Sequence, residues 1–371
     1  MNSSLKYQIA LTLLKGVGPV LAKSLISYFG DVESIFDSER DFRQVPKIGA
    51  KLADRIHSSG MQDALNRADE EVEFVIKNNI KPLFFTEPDY PKRLLNCEDA
   101  PLLIYTRGNS SFNQTKILSI VGTRKPTDDG ITLCEKFIED LAVRHPGTMI
   151  VSGLAYGIDI CAHRAALKNN LPTAAVLAHG FNEIYPPIHT KTAIEIEDNG
   201  ALITEFISSA FPDKPNFVRR NRIVAGMADA VLVVESAKKG GSLITAQIAS
   251  GYNRDVLAFP GRVNDRTSKG CNHLIKTNVA ALVEDVSDME YVLGWEPIDK
   301  KKIVSQPTLF AEPETPQEKA IIDVLLVEKE MNLNLLVIKT GIQVGKLSAI
   351  LLNLEFKGMV KSLPGGIFKI I

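Results

Sequence analysis

The chain has 371 residues, of which 45% are hydrophobic and 23% are charged, so it is long enough for about two or three globular domains. Four cysteines without a CxxC pair argue against a disulfide framework and against a zinc finger. The first twenty residues make a poor secretion signal, and no stretch has the uncharged length that a membrane span needs. We therefore expect a soluble, cytoplasmic protein with buried thiols and no membrane contact.

The net charge of −1 argues against a protein that is positive over its whole surface, but the charge is unevenly distributed. Residues 214–276 contain eleven Lys and Arg residues against four acids, a local excess of seven positive charges. Binding of phosphate groups requires a local excess of this kind. This segment is therefore a candidate for contact with nucleic acid.

Residues 1–80 are predicted to form an N-terminal helical domain, because apolar residues recur there at helical spacing. Two glycine turns, GVGP at residues 16–19 and KIGAK at residues 47–51, lie between these helices with the spacing of helix-hairpin-helix, or SAM-like, elements. The N–H groups at such a helix start can face a DNA phosphate. Glycine turns also serve as plain connections, so the sequence leaves both roles open.

From residue 117 the pattern changes to short apolar runs that alternate with turns and helical segments. The six runs are ILSIVGT, TMIVSGLA, TAAVLAHG, ALITEF, DAVLVVES and DVLAFPG. Buried, β-rich runs at this rhythm predict right-handed βαβ units and a parallel sheet of about six strands. Residues 81–292 are therefore predicted to form a Rossmann-like core.

A linker and a smaller domain are predicted after this core. Residues 293–315 are rich in proline and charge, so we expect an extended or mobile linker. Residues 316–371 show three helical segments and a hairpin, MVKSLPGGIFKII, which together are typical of a winged helix-turn-helix. The predicted fold class is thus α/β, with a Rossmann-like parallel sheet core, an N-terminal helical domain of helix-hairpin-helix or SAM-like type, and a C-terminal winged helix.

Candidate binding residues follow the predicted strands, at the sheet edge where open parallel sheets bind ligands. The turns after the first, second and fifth strands supply glycines and helix starts, which suit an anion. Residues 216–222 combine an aromatic ring with three arginines, a pattern that holds single strands by base stacking and backbone charge. The candidates in these segments are Gly122, Thr123, Arg124, Lys125, Ser152, Gly153, Phe217, Arg220, Asn221, Arg222, Lys238, Lys239, Gly241 and Ser242.

Six motifs in order resemble the signature of the DNA-processing protein A family, DprA, also called Smf. They are VGTRKP, SGLAYGIDICAHRAAL, IYPP, FVRRNRIVAGMADAVLVVES, GGSLITAQIASGYNRDVLAFPG and SKGCNHLI. The resemblance covers about residues 85–285, and the two flanking domains match architectures of that family. It implies a single-stranded-DNA-binding recombination mediator that protects incoming DNA and helps to load the recombinase RecA in natural transformation, assembles as a homodimer and is not an enzyme.

Carried over by position, the resemblance assigns residues 122–124 to a phosphate-binding turn and Ser152 and Gly153 to the adjacent edge. The family's Fp-x-RNR segment falls on Lys214, Phe217, Arg220, Asn221 and Arg222, and its further basic residue on Lys238 or Lys239. Val218 stands where the family usually has proline, and Ala178-His179-Gly180 replaces a Gly-x-Gly turn. The first departure bears on how Phe217 is presented, and neither removes a charge.

Other function classes remain as alternatives. A nucleotide phosphoribohydrolase has a similar fold, but KKGGSLITAQIA lacks the glutamate of the PGGxGTxxE loop. A protein-interaction adaptor is favoured in part by the winged helix, whose predicted recognition helix carries only Lys346 and Lys357 against Glu355. The phosphate loops GxGxxG and GxxxxGK[ST] are absent, which disfavours a nicotinamide cofactor and a P-loop. Cys161 and His163 lie two apart on a predicted helix, so we expect no metal site.

Overall fold

The computed structural model describes residues 3–37, 41–56, 60–297, 315–363 and 366–370. The chain divides into two compact units, residues 1–298 and residues 299–371. Most of the predicted linker, residues 298–314, lies outside the described residues, as do Pro364 and Gly365 of the predicted hairpin turn. The linker therefore stays a prediction.

The first unit begins with the predicted helices, which are α1 (Ser3–Leu13), α2 (Pro19–Phe29), α3 (Ala50–Arg55) and α4 (Met61–Lys77). Short 3-10 turns lie at Glu33–Phe36 and Phe42–Gln44. Gly18 and Gly49 of the two glycine turns directly precede α2 and α3. Leu25 and Phe42 of this region share one apolar core with Leu103 and Leu202 of the sheet. The helical segment is thus fixed against the sheet, and the boundary near residue 80 stays a prediction.

A nine-stranded sheet forms the centre of the first unit. Its strands are β1 (Lys81–Phe84), β2 (Leu103–Gly108), β3 (Ile117–Val121), β4 (Met149–Ser152), β5 (Thr173–Val176), β6 (Gly200–Thr204), β7 (Ala230–Val233), β8 (Asp255–Ala258) and β9 (Ala281–Leu282). Their order is β1-β2-β6-β5-β4-β3-β7-β8-β9. The six predicted strands are β3 to β8, and they pair in parallel with their neighbours among themselves. The sequence interpretation missed the antiparallel pair β1 and β2 and the short β9.

Helices cover both faces of this sheet. They are α5 (Lys92–Leu95), α6 (Asp128–Arg144), α7 (Ile158–Lys168), α8 (Thr190–Asn199), α9 (Lys214–Gly226), α10 (Gly241–Gly251), α11 (Lys269–Lys276) and α12 (Val286–Leu293). Successive residues of β3 point to opposite faces, so Ile117 packs in the core that contains Ile223 of α9 and Leu118 in the core that contains Phe137 of α6. The confirmed α/β fold therefore buries its parallel strands on both faces.

The strand order reverses beside β3. From β3 the chain continues through β4, β5 and β6 in one direction, and then returns to place β7 on the other side of β3. A crevice opens at such a switch point because the connections from the two neighbouring strands leave in opposite directions. The carboxyl ends of β3 and β7 thus mark the expected ligand site of this sheet.

The second unit has the predicted winged-helix architecture. Its helices are α13 (Pro316–Glu328), α14 (Leu333–Thr340) and α15 (Val344–Phe356), and its sheet has the order β10 (Glu330–Asn332), β12 (Ile367–Ile370) and β11 (Val360–Leu363). Among the described residues, no single helix has the length and apolar composition of a membrane span, although α14 and α15, bent by 107°, meet that test as a pair.

Burial of His163 predicts a pH dependence of folding. Its imidazole is inaccessible to solvent, and burial lowers its pKa to about 3 from the ordinary 6.5. The unfolded chain therefore takes up a proton below about pH 6.5, whereas the folded chain does so only near pH 3. We expect the free energy of unfolding to fall as pH decreases through this window.

Urea unfolding at several pH values checks this expectation. His163→Asn removes one titrating group, so its free energy of unfolding will depend less on pH than that of the wild type. His273→Gln, which replaces an exposed imidazole on α11, will keep the wild-type dependence. Equal pH dependence for the wild type and His163→Asn would contradict the assignment.

Candidate functional site

A cavity of about 660 Å³ opens at the switch point of the sheet. Its walls are the end of β3 with residues 122–124, the turn after β4 with Gly153 and Ala155, Asp159 of α7, one face of α9, and most of residues 236–245, which follow β7 and begin α10. We call it the switch-point cavity. Four segments that are distant in sequence meet there because three of them leave the carboxyl ends of neighbouring strands.

Most of the predicted site residues line this cavity. They are Gly122, Thr123, Arg124, Gly153, Lys214, Phe217, Arg220, Asn221, Lys239, Gly241 and Ser242. Four predicted residues do not line it, namely Lys125, Ser152, Arg222 and Lys238. Lys125 and Lys238 are exposed beside lining residues, whereas Ser152 is fully buried and its hydroxyl donates to the Ile120 carbonyl at 2.6 Å.

Arg222 lies away from the switch-point cavity because residues 214–226 form a helix. Successive helical residues turn by about 100°, so Arg222 faces away from Phe217 and Asn221. Its guanidinium donates to Glu205 Oε2 at 2.5 Å and also to the Asp99 carbonyl. The structure thus places this predicted DNA contact on the opposite face of α9, in an ion pair.

An aromatic and cationic stack forms at the mouth of the switch-point cavity. The Arg124 guanidinium lies 5.1 Å from the centre of the Phe217 ring, within the range of a cation–π contact. The ring of Tyr185 meets the same phenylalanine edge-on, at 5.9 Å between centroids, and is 41% exposed. Phe217 therefore contacts both a cation and a second ring, and such a group of side chains can stack with a flat ligand.

A buried cation forms the floor of the switch-point cavity. Arg220 is only 4% exposed, and its Nη1 donates to the Val176 carbonyl at 2.5 Å. Burial lowers its pKa, an effect that the negative charge of Asp159 opposes. Conversely, burial raises the pKa of Asp159, and the nearby Arg220 opposes that shift. The two buried groups thus favour each other's charged forms.

Gly153 leaves the space that the Arg220 guanidinium occupies. A Cβ atom at this position would overlap the guanidinium, so no larger residue fits without moving it. Gly157, with φ of +81°, allows the next part of the same turn to lie against the backbone of Thr123 and Arg124. These two glycines therefore bring the turns after β3 and β4 together around the arginine.

Two helix N-termini add positive potential at the same edge. Helix α7 follows Gly157 and helix α10 follows Gly240, and neither residue before these helices supplies a side-chain cap. The first N–H groups of a helix lack intrahelical acceptors and carry a partial positive charge. Together with Arg124, Arg220, Lys214 and Lys239, these helix starts make the cavity suitable for an anion.

Sequence reasoning missed two groups at this site. Tyr185 belongs to the IYPP motif, which had no assigned role, and it reaches the site only because the loop after β5 folds over α9. Asp159 carries the one carboxylate among the described residues that line the cavity. Its position one residue after the start of α7 was visible in the sequence, but its distant partner Arg220 was not.

Metal and thiol chemistry find no support at this site. Within the described residues, no group of three or more His, Cys, Asp and Glu side chains is placed to hold a metal ion. The four cysteines are buried and free, as the sequence predicts. The described lining of the cavity thus offers cations, amides and an aromatic ring rather than a set of metal ligands.

The overlap at Gly153 predicts a stability effect. Gly153→Ala must displace a buried guanidinium, so we expect a loss of about 1–3 kcal/mol in the free energy of unfolding. Gly251→Ala is the control, because a Cβ at the end of α10 meets nothing within 4 Å. Urea denaturation measures both. Equal stability of the two variants would show that Arg220 is not fixed beside Gly153.

Comparisons with known proteins match all three parts of the chain. The DNA recombination-mediator protein A family matches residues 81–293, which is more than half of the chain. A DprA winged helix domain matches residues 305–366, and a SAM-like helix-hairpin-helix tandem matches residues 9–59. The matched regions follow the order of the predicted domains.

Relatives from several bacteria resemble the chain over most of its length. Protein Smf of Synechocystis is 34% identical, and the alignment covers 98% of each chain. The crystal structure of DNA processing protein A from Streptococcus pneumoniae has a TM-score of 0.64 at 28% identity, over 77% of this chain and 97% of that one. DNA processing protein A from Helicobacter pylori, described for its single-stranded-DNA binding mode, has a TM-score of 0.52 at 28% identity, over 58% and 95%. The chain belongs to the DNA recombination-mediator protein A family, DprA or Smf.

Proposed function

We propose that this protein is a recombination mediator that binds single-stranded DNA in the switch-point cavity. The observation that carries the proposal is the contact of Arg124 with the Phe217 ring in a cavity that the buried Arg220 also lines. A phenylalanine ring beside a guanidinium binds a base by stacking, and the surrounding cations bind the phosphates. Thr123, Asn221 and Ser242 supply polar groups to the same cavity.

The geometry favours a single strand over a duplex. Bases in a duplex already stack on each other, so an aromatic ring in a cavity reaches only an unpaired base. The lining adds a few cations, which contact phosphates of any sequence. We therefore propose binding with little sequence preference and marked salt dependence, and without a catalytic step or a cofactor.

Family membership supports the wider role. We propose that the protein protects incoming single strands and helps to load RecA in natural transformation and recombination, and that it acts as a homodimer. The relative from Helicobacter pylori is described as a single-stranded-DNA binder. RecA filament formation on a single strand already coated with a single-strand-binding protein tests loading, since a mediator will shorten the lag and a protein without this role will not.

For the winged helix we propose contact with protein, or only weak contact with DNA. Lys357, which directly follows α15, donates to Glu318 at 2.9 Å. One of the two cations of the predicted recognition helix is therefore already paired. Apolar side chains on α14 and α15 are exposed instead, including Ile338 and Phe356. Duplex readers generally place more cations and amides on the recognition helix.

Binding of a labelled single-stranded oligonucleotide tests the cavity directly. Removing the ring in Phe217→Ala will cost about 1–3 kcal/mol, the usual value for one stacked base. Arg124→Ala and Lys239→Ala will weaken binding, and each lost phosphate contact will reduce the slope of log K against log salt by about 0.7. A matched duplex will bind the wild type less tightly than the single strand.

Lys168→Ala is the charge control for these variants. Lys168 ends α7 and is exposed, and α7 runs antiparallel to the strands, so this end lies at the opposite edge of the sheet. We expect its affinity and salt slope to equal those of the wild type. Equal binding by Phe217→Ala, Arg124→Ala and Lys168→Ala would refute the proposed site.

A further inference from the structure

A second cavity, also of about 660 Å³, lies on the other face of α9. The cavity lies between the glycine turn that joins α1 to α2 and the segment after β6, and side chains of α4 and α9 complete its walls. We call it the hairpin cleft. Phe217 and Asn221 of α9 line the switch-point cavity, whereas Arg219 and Arg222 of the same helix line the hairpin cleft.

Cations outnumber acids among the described residues of the hairpin cleft. Its cations are Lys15, Arg67, Arg219 and Arg222, and its acids are Asp99 and Glu205. Both acids are already bonded, because Glu205 Oε2 accepts from Arg219 at 2.8 Å and from Arg222 at 2.5 Å, and Asp99 accepts from the Tyr252 hydroxyl. Arg67 lies 3.8 Å from Asp63 of the same helix. The cleft thus keeps a positive excess beside a fixed ion-pair cluster.

Glu205 itself is unusual in this cluster. Its side chain is 2% exposed, and its second carboxylate oxygen, Oε1, has no hydrogen-bond donor. An unpaired buried carboxylate oxygen is unfavourable. A nucleotide carries N–H donors on its base and a negative charge on its phosphate, and it therefore matches a cleft that is lined by four cations and by this unpaired acceptor.

The glycine turn presents a helix start to the same cleft. Gly16, Val17, Gly18 and Pro19 line it, and α2 begins at Pro19 without a side-chain cap. Pro19 has no N–H group, so the first amide groups of this 11-residue helix are those of Val20 and Leu21, and the start of the helix adds the positive end of its dipole. For this glycine turn the sequence allowed either contact with a phosphate or a plain connection between helices. In the structure the turn faces a cleft rather than a packed surface.

Packing holds the two walls of the hairpin cleft in place. The buried carboxylate of Glu71 on α4 accepts from the Ser208 backbone N–H at 3.0 and 2.9 Å and from the Ser208 hydroxyl at 2.6 Å. This contact ties α4 to the segment after β6, and the shared apolar core fixes the helices against the sheet. The cleft is therefore a formed feature of the first unit.

We infer that the hairpin cleft is a second nucleotide site, which binds a phosphodiester of the same single strand beyond the part held in the switch-point cavity. Lys15, Arg67 and Arg219 contact the phosphate, and Arg222 positions Arg219 through Glu205. The strand passes over α9, which is about 10 Å across, where the exposed Val218 of the switch-point cavity is followed by Arg219 of the hairpin cleft. This inference rests on the proposed function, since it assigns the continuation of the strand bound there.

A length series of oligo(dT), from about 4 to 16 nucleotides, separates the two sites. Arg67→Ala and Lys15→Ala will leave the affinity for the shortest strands unchanged and will weaken binding of the longest by about tenfold each. Each will also lower the salt slope by about 0.7 for the long strands alone. Lys77→Ala, which removes an exposed cation at the far end of α4, will match the wild type at every length.

Three outcomes would overturn the inference. Unchanged affinity of Arg67→Ala and Lys15→Ala at all lengths would show that the cleft does not bind the strand. An equal loss at all lengths would show that these residues do not form a separate site. Binding of thymidine monophosphate that requires Arg67, together with unchanged strand binding, would assign the cleft to a free nucleotide.

Strand binding by the wild type and by Phe217→Ala distinguishes failure of the second site from failure of the proposed function. If the wild type binds long oligo(dT) and Phe217→Ala weakens that binding while Arg67→Ala does not, only the second site is wrong. If the wild type binds no single strand at any length, the proposed function fails, and the second site fails with it.

Discussion

The arrangement of the switch-point cavity depends on one buried cation, the guanidinium of Arg220. Its removal from water is unfavourable, and the Val176 carbonyl and the negative charge of Asp159 offset part of that cost. The guanidinium fits because Gly153 has no side chain. The turn after β4, the end of β5 and helix α9 therefore all contact the same group, and the more exposed lining residues are arranged around it.

A protein with a net charge of −1 can present a cationic site because its basic residues are unevenly distributed. The basic excess of residues 214–276 is divided between roles. Arg254 donates to the Arg93 carbonyl and Arg222 is paired with Glu205, so both serve the structure. Lys214, Arg220 and Lys239 line the cavity, and Arg124 joins them from outside the segment. Local charge at a concave site, rather than total charge, is what matters for a bound phosphate.

The sequence was sufficient to predict the six parallel strands, because fully buried strands appear as short continuous apolar runs. It did not reveal β1 and β2, which have four and six residues and form an antiparallel pair at the edge of the sheet. This pair lies outside the series of βαβ units from which the other strands were predicted. The turns at the strand ends predicted the residues that line the switch-point cavity, because the carboxyl ends of parallel strands meet at one edge of the sheet. The directions of the side chains in residues 216–222 could not be predicted, because they depend on the segment being helical. For this reason Arg222 was grouped with Phe217 in the prediction from sequence.

Long-range partners were also beyond the sequence. Glu205 follows β6 and Tyr185 follows β5, and only the folded sheet brings them to opposite sides of α9. The same holds for the contact of Glu71 with Ser208, which unites the N-terminal helices with the sheet although the two regions appear as separate domains in sequence. The fold thus joins two cavities through one helix, with adjacent residues of that helix serving different cavities.

Photo-crosslinking tests the central claim most directly. A single strand that carries bromodeoxyuridine would be irradiated in complex with the full chain, and the modified peptides would be identified by mass spectrometry. Stacking of a base on Phe217 predicts an adduct on the peptide that contains this residue. Adducts confined to residues 315–363 of the winged helix, with an unmodified Phe217 peptide, would contradict the account.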